Sequence, residues 1–338
     1  MQKIAILGAG GFGTALAKHF SDKGQQVILW SAVKRELEDI QEHHENTKLL
    51  PAIPLNLDLI HLTENLNDIN EAFVVIFAVA SPWVGSIAME SVSHIKKDAL
   101  VVNVAKGFEE NSFKRLSEII QAAVPGNPVI ALSGPSHAEE IARRIPTTIV
   151  AASENLKAAQ QIQEIFSSPY FRVYVNDDVI GVEYGGALKN IIALCAGICD
   201  GLELGDNTKA ALMTRGIAEI ARLGIAAGAK RETFAGLSGI GDLIVTCTSM
   251  YSRNRRAGIL IGQGKSAQEA IKEIGMTVEG YIAARVGVKL AQKYDVSMPI
   301  TEQLYQVLYH GADTNQAIEN LMGRPARKEA DLLMMDLQ

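Results

Sequence analysis

The run Gly8-Ala9-Gly10-Gly11-Phe12-Gly13 stands between an apolar pentapeptide, Lys3-Ile4-Ala5-Ile6-Leu7, and the apolar-periodic stretch Thr14-Ala15-Leu16-Ala17-Lys18-His19-Phe20. Strand, G-x-G-x-x-G and helix in that order constrain the fold more than any other feature. The glycines serve three separate needs, which are a tight turn, close approach of backbone to pyrophosphate, and close packing of helix on strand. The helix start then offers free N–H groups and a positive dipole end to phosphate. A second strand, Gln26-Val27-Ile28-Leu29-Trp30, places the motif in its expected context. Gly8, Gly10 and Gly13 are therefore candidate dinucleotide contacts, with a glycine-rich structural turn as the plain alternative.

Further apolar runs follow at 72–79, 99–104 and 128–132, with last strands at 148–151 and 171–175 and helical stretches between, for example 112–123. Alternating strand and helix signals a doubly wound α/β sheet, whose ligands bind beyond the carboxyl ends of its strands. The residues after each strand therefore matter. Lys106 follows the 99–104 run and either projects a cation over that edge or lies in water as most lysines do. Gly134, Ser136 and Ala138 follow the 128–132 run and offer backbone and hydroxyl groups at the same edge. An NAD-specific site usually carries an acid about 20 residues past the glycines. Here Trp30-Ser31-Ala32-Val33-Lys34-Arg35 has no acid at the strand end and two cations after it. Lys34 and Arg35 thus tilt the expectation towards NADP(H), unless they are solvated first-turn residues of the next helix.

From about Val179 the strand pattern stops, which divides the chain into a nucleotide domain over 1–178 and an all-helical domain over 179–338. The helix over 181–198 is apolar almost all round and carries one lysine, Lys189. Burial disfavours the charged form of a lysine and suits it to acid–base work; the alternative is snorkelling to water. Gly185 and Gly186, one turn earlier, are expected to leave a bare patch for a small ligand. Asp206-Asn207-Thr208 reads as an N-cap before Lys209, with Gly228 closing that helix. Ser266 to Glu269 reads as a capping box, and Pro299 opens a helix that Gly311 ends. Asp242, just past Gly239-Ile240-Gly241, is either a helix N-cap or a ligand group. Ser252-Arg253-Asn254-Arg255-Arg256 is a local anion trap or a solvated basic face.

Composition narrows the partners. Net charge is −6 over 338 residues, which argues against nucleic acid and anionic membranes. No uncharged apolar run is long enough to span a bilayer. Cys195, Cys199 and Cys247 are the only cysteines, and no further Cys or His lies close to the i,i+4 pair, so free thiols and no metal are expected. With no signal peptide, the expected location is the cytoplasm. The apolar helices suggest burial against a second subunit, as a homodimer.

These motifs together make the chain resemble the NAD(P)-dependent glycerol-3-phosphate dehydrogenases of the bacterial type. The resemblance rests on 8–14, Ala-Lys-Gly at 105–107, Ser-Gly-Pro-Ser at 133–136 and Gly-Gly-Ala-Leu-Lys-Asn at 185–190. It continues through 205–211, Gly-Ile-Gly-Asp-Leu at 239–243, Ser-Arg-Asn-Arg-Arg at 252–256 and Val-Glu-Gly-Tyr at 278–281. It implies a Rossmann-type domain followed by a helical domain like the C-terminal part of 6-phosphogluconate dehydrogenase. It also implies reversible reduction of dihydroxyacetone phosphate to sn-glycerol 3-phosphate by NAD(P)H, for glycerophospholipid synthesis. Lys189 then matches the proton donor and acceptor, aided by Lys106 and Asp242. Gly134, Ser136, Asn190, Asp242, Ser252, Arg253 and Asn254 match substrate contacts, with Lys106 touching substrate and cofactor. Gly11, Phe12, Ala138, Arg253, Thr277 and Glu279 match cofactor contacts. Where the family often has His or Arg after the second strand, this chain has Ala32; where serine is common in the glycine loop, it has Gly11. A 3-hydroxyacid or ketopantoate-type reductase is the rival reading, and would need a carboxylate site in place of a phosphate site.

Overall fold

The computed structural model describes residues 3–326, so the ends of both expected domains, 1–2 and 327–338, lie outside the described residues. The chain forms two compact units, one of 3–109 with Lys114–Val179 and one of Glu110–Phe113 with 180–326.

The first unit carries β1 (Lys3–Leu7), β2 (Val27–Trp30), β3 (Ile60–Thr63), β4 (Ala72–Phe77), β5 (Leu100–Asn103), β6 (Val129–Ser133), β7 (Thr147–Ala152) and β8 (Phe171–Asn176). Its helices are α1 (Gly11–Asp22), α2 (Lys34–His43), α3 (Val84–Ser91), α4 (Leu116–Ala123), α5 (Ala138–Ala142) and α6 (Leu156–Phe166). The strands join in one sheet in the order β3-β2-β1-β4-β5-β6-β7-β8. Alternate residues feed two cores, one on each face. Ile4, Ile6, Val74 and Ile76 enter one, and Ala5, Leu7, Val75 and Phe77 the other. That two-sided burial is why the central strands read as unbroken apolar runs. Since β1 pairs with β2 on one side and β4 on the other, the topology reverses at the glycine loop.

Three details differ from the sequence reading. β3 is an additional edge strand of four residues with partly exposed side chains, too short to show periodicity. β7 runs antiparallel to β6. Its linker holds only the five residues of α5, about 8 Å of helix, too little to carry the chain back along a strand. The helix expected from 112 begins at Leu116, because the Glu118 carboxylate turns back to accept from Arg115 N–H at 2.8 Å and Phe113 has φ 60°.

The second unit is helical: α7 (Val179–Gly201), α8 (Gly205–Ala226), α9 (Arg231–Phe234), α10 (Asp242–Thr248), α11 (Arg253–Gly262), α12 (Ala267–Ile274), α13 (Glu279–Tyr294), α14 (Pro299–His310) and α15 (Thr314–Met322). A π-helical turn over Leu237–Gly241 precedes α10. The segment Glu110–Phe113 groups with this unit, where Glu110 pairs with Arg285. Ser266 and Glu269 form the capping box, Pro299 opens α14, and Gly311 ends it with φ 67°. α8 starts at Gly205 instead of after Thr208, so Asp206 lies in its first turn, where its charge favours the helix dipole.

α7 is the axis of this unit. Its length and composition would suit a membrane span, but 89% of its apolar window is buried within the protein. It therefore reads as a core helix. Gly197 and Gly201 on α7 meet Gly258 and Gly262 on α11 so closely that a Cβ at Gly258 would collide with the Leu194 carbonyl oxygen. This glycine seam brings the start of α11 to the middle of α7.

Candidate active site

In the first unit, the end of β1 turns through Gly8 at φ 122°, and the Gly8 N–H donates to the Trp30 carbonyl at 2.8 Å. A Cβ at Gly13 would strike the Gly8 carbonyl oxygen, whereas a Cβ at Gly10 would meet no heavy atom within 4 Å. Gly13 therefore seats α1 against the turn, and Gly10 leaves an open cradle at the α1 start. That combination fits a pyrophosphate. Phe12 packs partly buried against the core beneath, and Gly11 faces the Leu49 carbonyl. The loop is braced by Asn46, whose Nδ2 donates to the Ala9 carbonyl at 2.8 Å and to Thr14 Oγ1 at 3.2 Å. Its Oδ1 accepts from Leu49 N–H at 2.9 Å. Sequence reasoning missed Asn46, because the irregular stretch around it has no periodicity to mark it.

Further along the same edge, Lys106 Nζ donates to the Gly134 carbonyl at 2.8 Å and lies 3.3 Å from Ser136 Oγ. Ser136 Oγ donates to the same carbonyl at 2.8 Å. Lys106, Gly134 and Ser136 are thus one cluster, and Lys106 is not a loose loop lysine. Ala138 opens α5 and packs near Ala15 of α1. Lys34 and Arg35 open α2 and are exposed, Lys34 facing Glu38 at 3.5 Å. The expectation of no acid by the end of β2 needs correction: Glu36 turns back, and its Oε2 accepts from Ser31 Oγ at 2.8 Å.

In the second unit, Lys189 projects from the middle of α7 and is only 5% exposed. It does not snorkel. Nζ lies 2.6 Å from Asp242 Oδ1 and donates to Thr246 Oγ1, which itself donates to the Asp242 carbonyl at 2.6 Å. Asp242 and Thr246 sit i,i+4 on one face of α10, so the pair forms a single acceptor site for the ammonium. Asp242 is the first residue of α10, whose N-cap position is Gly241. The bare patch expected at Gly185 is filled: a Cβ there would stand 2.5 Å from the Ser238 carbonyl oxygen. Gly185 thus seats the turn before α10, which in turn places Asp242.

Asn190, the next residue, accepts through Oδ1 from Asn254 Nδ2 at 2.9 Å, and Asn254 Oδ1 accepts from Gly280 N–H at 2.8 Å. The Asn254 amide therefore ties α7, α11 and the start of α13 together. Thr277 precedes that helix start and Glu279 is its first residue. Ser252 caps α11, its Oγ accepting from Arg255 N–H at 3.2 Å. Arg253 follows, half-buried. The three-arginine trap is smaller than expected: Arg255 Nε donates to Asp200 Oδ2 and Nη1 to the Thr248 carbonyl, both at 2.7 Å. Arg256 is exposed, so Arg253 is the arginine placed with Asn254 and Ser252. All three cysteines are free. Burial pushes the Cys199 and Cys247 thiols up to about 11 and 12, and Cys195 well above its usual value, so none offers a thiolate near neutrality.

A sequence profile described as the NAD-dependent glycerol-3-phosphate dehydrogenase N-terminus matches residues 3–159, and its C-terminus counterpart matches 178–319. The chain belongs to the NAD-dependent glycerol-3-phosphate dehydrogenase family. A glycerol-3-phosphate dehydrogenase [NAD(P)+] of Clostridium perfringens is 50% identical over 97% of this chain and 99% of its own length. That of Bacillus subtilis is 47% identical over 99% and 98%. The crystal structure of a glycerol-3-phosphate dehydrogenase from Coxiella burnetii, 37% identical, superposes with a TM-score of 0.92 over 96% of this chain and 99% of that one. For a member of this family, the geometry adds Thr246 to the residues that the sequence marks around Lys189. Its signal was the i,i+4 spacing from Asp242, legible only once both are known to meet the lysine.

Proposed function

We propose that this chain reduces dihydroxyacetone phosphate reversibly to sn-glycerol 3-phosphate with NAD(P)H, an oxidoreductase step that supplies glycerophospholipid synthesis. The observation that carries the chemistry is the buried Lys189–Asp242–Thr246 cluster, in a chain half identical to enzymes of that name. The glycine loop of the first unit would hold the pyrophosphate, with Lys106, Ala138, Arg253, Thr277 and Glu279 as further contacts. When bound, the cofactor supplies a hydride to C2 of the ketone.

Reduction leaves negative charge on the carbonyl oxygen, and Lys189 Nζ is the proton donor to it. Asp242 and Thr246, one turn apart on α10, orient the ammonium for that transfer. A positioned acid of this kind contributes about 10²–10⁴-fold. Arg253 offers the planar fork that suits a phosphate, with Asn254 and Ser252 beside it, so binding energy from the phosphate positions the reacting carbon. Lys106, Gly134 and Ser136 complete the proposed substrate contacts. A cytoplasmic homodimer is the proposed setting; the free cysteines and the exposed Ile244 and Met250 support it, and light scattering tests the stoichiometry.

The deciding experiment follows NADH and NADPH oxidation with dihydroxyacetone phosphate beside ketopantoate and other small 2-oxo acids. Turnover of the triose phosphate alone is expected. Preference for a 2-oxo acid would move the chain to the rival reductase class.

A further inference from the structure

We propose that Glu36 makes this chain select NADH over NADPH. The proposal rests on the first unit binding a dinucleotide at its glycine loop. In such sheets the adenosine ribose lies by the end of the second strand, where an acidic side chain accepts from the ribose hydroxyls of NAD. β2 ends at Trp30, and the next residue, Ser31, is buried. Ser31 Oγ accepts from Val33 N–H at 3.1 Å and donates to Glu36 Oε2 at 2.8 Å. The Glu36 carboxylate is therefore folded back from the first turn of α2 and held by the strand end, half-buried.

The two cations that would welcome a 2′-phosphate are both exposed and have carboxylates one turn along their own helix. Lys34 Nζ lies 3.5 Å from Glu38 Oε1, one turn along the helix. The Arg35 charge acts on Asp39, again one turn along, and Asp39 itself holds Thr47 N–H at 2.9 Å and Thr47 Oγ1 at 2.7 Å. Within 34–39, two cations thus stand against the three carboxylates Glu36, Glu38 and Asp39. A ribose 2′-hydroxyl can donate to Glu36. A 2′-phosphate has lost that donor and brings like charge to a fixed carboxylate, which is unfavourable. Ala32 supplies no compensating cation at the residue after Ser31.

The test is fluorescence titration of the full chain with NADH and with NADPH, without substrate, for the wild type, Glu36→Gln and the Lys34→Ala/Arg35→Ala double variant. Glutamine keeps an acceptor for Ser31 Oγ while removing the charge. The wild type is expected to bind NADH about tenfold or more tightly than NADPH, and Glu36→Gln to narrow that ratio by about fivefold through tighter NADPH binding. The double variant should leave the ratio within about twofold. Equal or tighter binding of NADPH by the wild type would overturn the proposal, as would a ratio unmoved in Glu36→Gln. A collapse of NADPH binding in the double variant would return selection to the cations and overturn it too. Binding of neither dinucleotide would fail the proposal together with the reading of the first unit on which it rests.

Discussion

Lys189 Nζ and Asp242 Oδ1 lie 2.6 Å apart with both side chains almost wholly withdrawn from water, 5% and 1% exposed. A buried ion pair is costly to break from one side, because the remaining charge keeps its desolvation penalty. Lys189→Met and Asp242→Leu should each destabilise the protein by about 3–5 kcal/mol, and the double variant by less than the sum. Urea unfolding of the four proteins in this cycle measures the coupling; additive losses would mean that the contact contributes nothing. In kinetics, Lys189→Ala should keep dinucleotide binding and lose about 10²-fold or more in turnover. Thr246→Ala should shift the pH dependence of turnover, and Thr246→Ser should restore it, since only the hydroxyl touches the lysine.

Arg253 and Arg255 are two residues apart and should behave differently. Arg255 is held by Asp200 and the Thr248 carbonyl. Its replacement by alanine should lower the melting temperature while leaving the Michaelis constant for dihydroxyacetone phosphate within about twofold. Arg253→Ala should raise that constant by about tenfold or more, as loss of a charged phosphate contact does. Steady-state kinetics beside thermal melts separates them. The reverse pattern would assign the phosphate to Arg255.

The contrast between these arginines shows where the sequence was legible. The glycine loop could be read directly because its chemistry is local: strand, turn and helix are adjacent, and Gly8, Gly10 and Gly13 each answer to a distinct steric need. α7 could be read as buried because it is apolar all round, and Lys189 stood out against that background. Its partners could not be read from spacing: the family resemblance alone set Asp242 with it and nothing marked Thr246, since these lie 53 and 57 positions away and meet it only through packing. Gly185 misleads for the same reason. A glycine beside a lysine looks like space until the Ser238 backbone is known to fill it. β3 escaped notice because a four-residue edge strand has too few turns of its pattern to register. Glu36 is a subtler case: it is close in sequence, but its role depends on a side chain turning back to Ser31.

The seam between α7 and α11 is the support on which Arg253 and Asn254 are presented. Gly258→Ala places a methyl group against the Leu194 carbonyl, a backbone atom that cannot rotate aside. The helices must separate, which stretches the Asn190–Asn254 hydrogen bond at the same time. A loss of about 3 kcal/mol or more is expected, as for severe overpacking. Any folded fraction should show a raised Michaelis constant for the phosphate substrate. Gly264→Ala is a useful contrast, because its Cβ would meet no atom within 4 Å and its penalty arises from φ 97° alone. Chemical unfolding of both variants checks the ranking; a smaller loss at Gly258 would show that the seam yields.

Two buried ionisable groups give the stability profile opposing slopes with pH. Burial lowers His19 to about 4, while its Nε2–H donates to the Phe166 carbonyl at 2.8 Å and Nδ1 has no partner in the described structure. Its unfolded value is 6.5, so the unfolded chain takes up a proton first as pH falls. The stability it contributes is complete above 6.5 and is lost on descending towards 4. Burial raises Glu219 to about 7, despite N–H groups of Ile300 and Thr301 facing its carboxyl at 2.8 and 3.4 Å. Here the folded state holds the proton longer than the unfolded value of 4.5 allows, so stability falls as pH rises from 4.5 to 7. The two windows overlap, and the wild-type profile between pH 5 and 6.5 should look flatter than either group alone would make it. His19→Gln should expose a decline with rising pH, and Glu219→Gln a rise, each with a slope approaching about 1.4 kcal/mol per pH unit. Unfolding free energies measured at half-unit steps test this, and parallel profiles in the wild type and both variants would remove these two groups from the acid response.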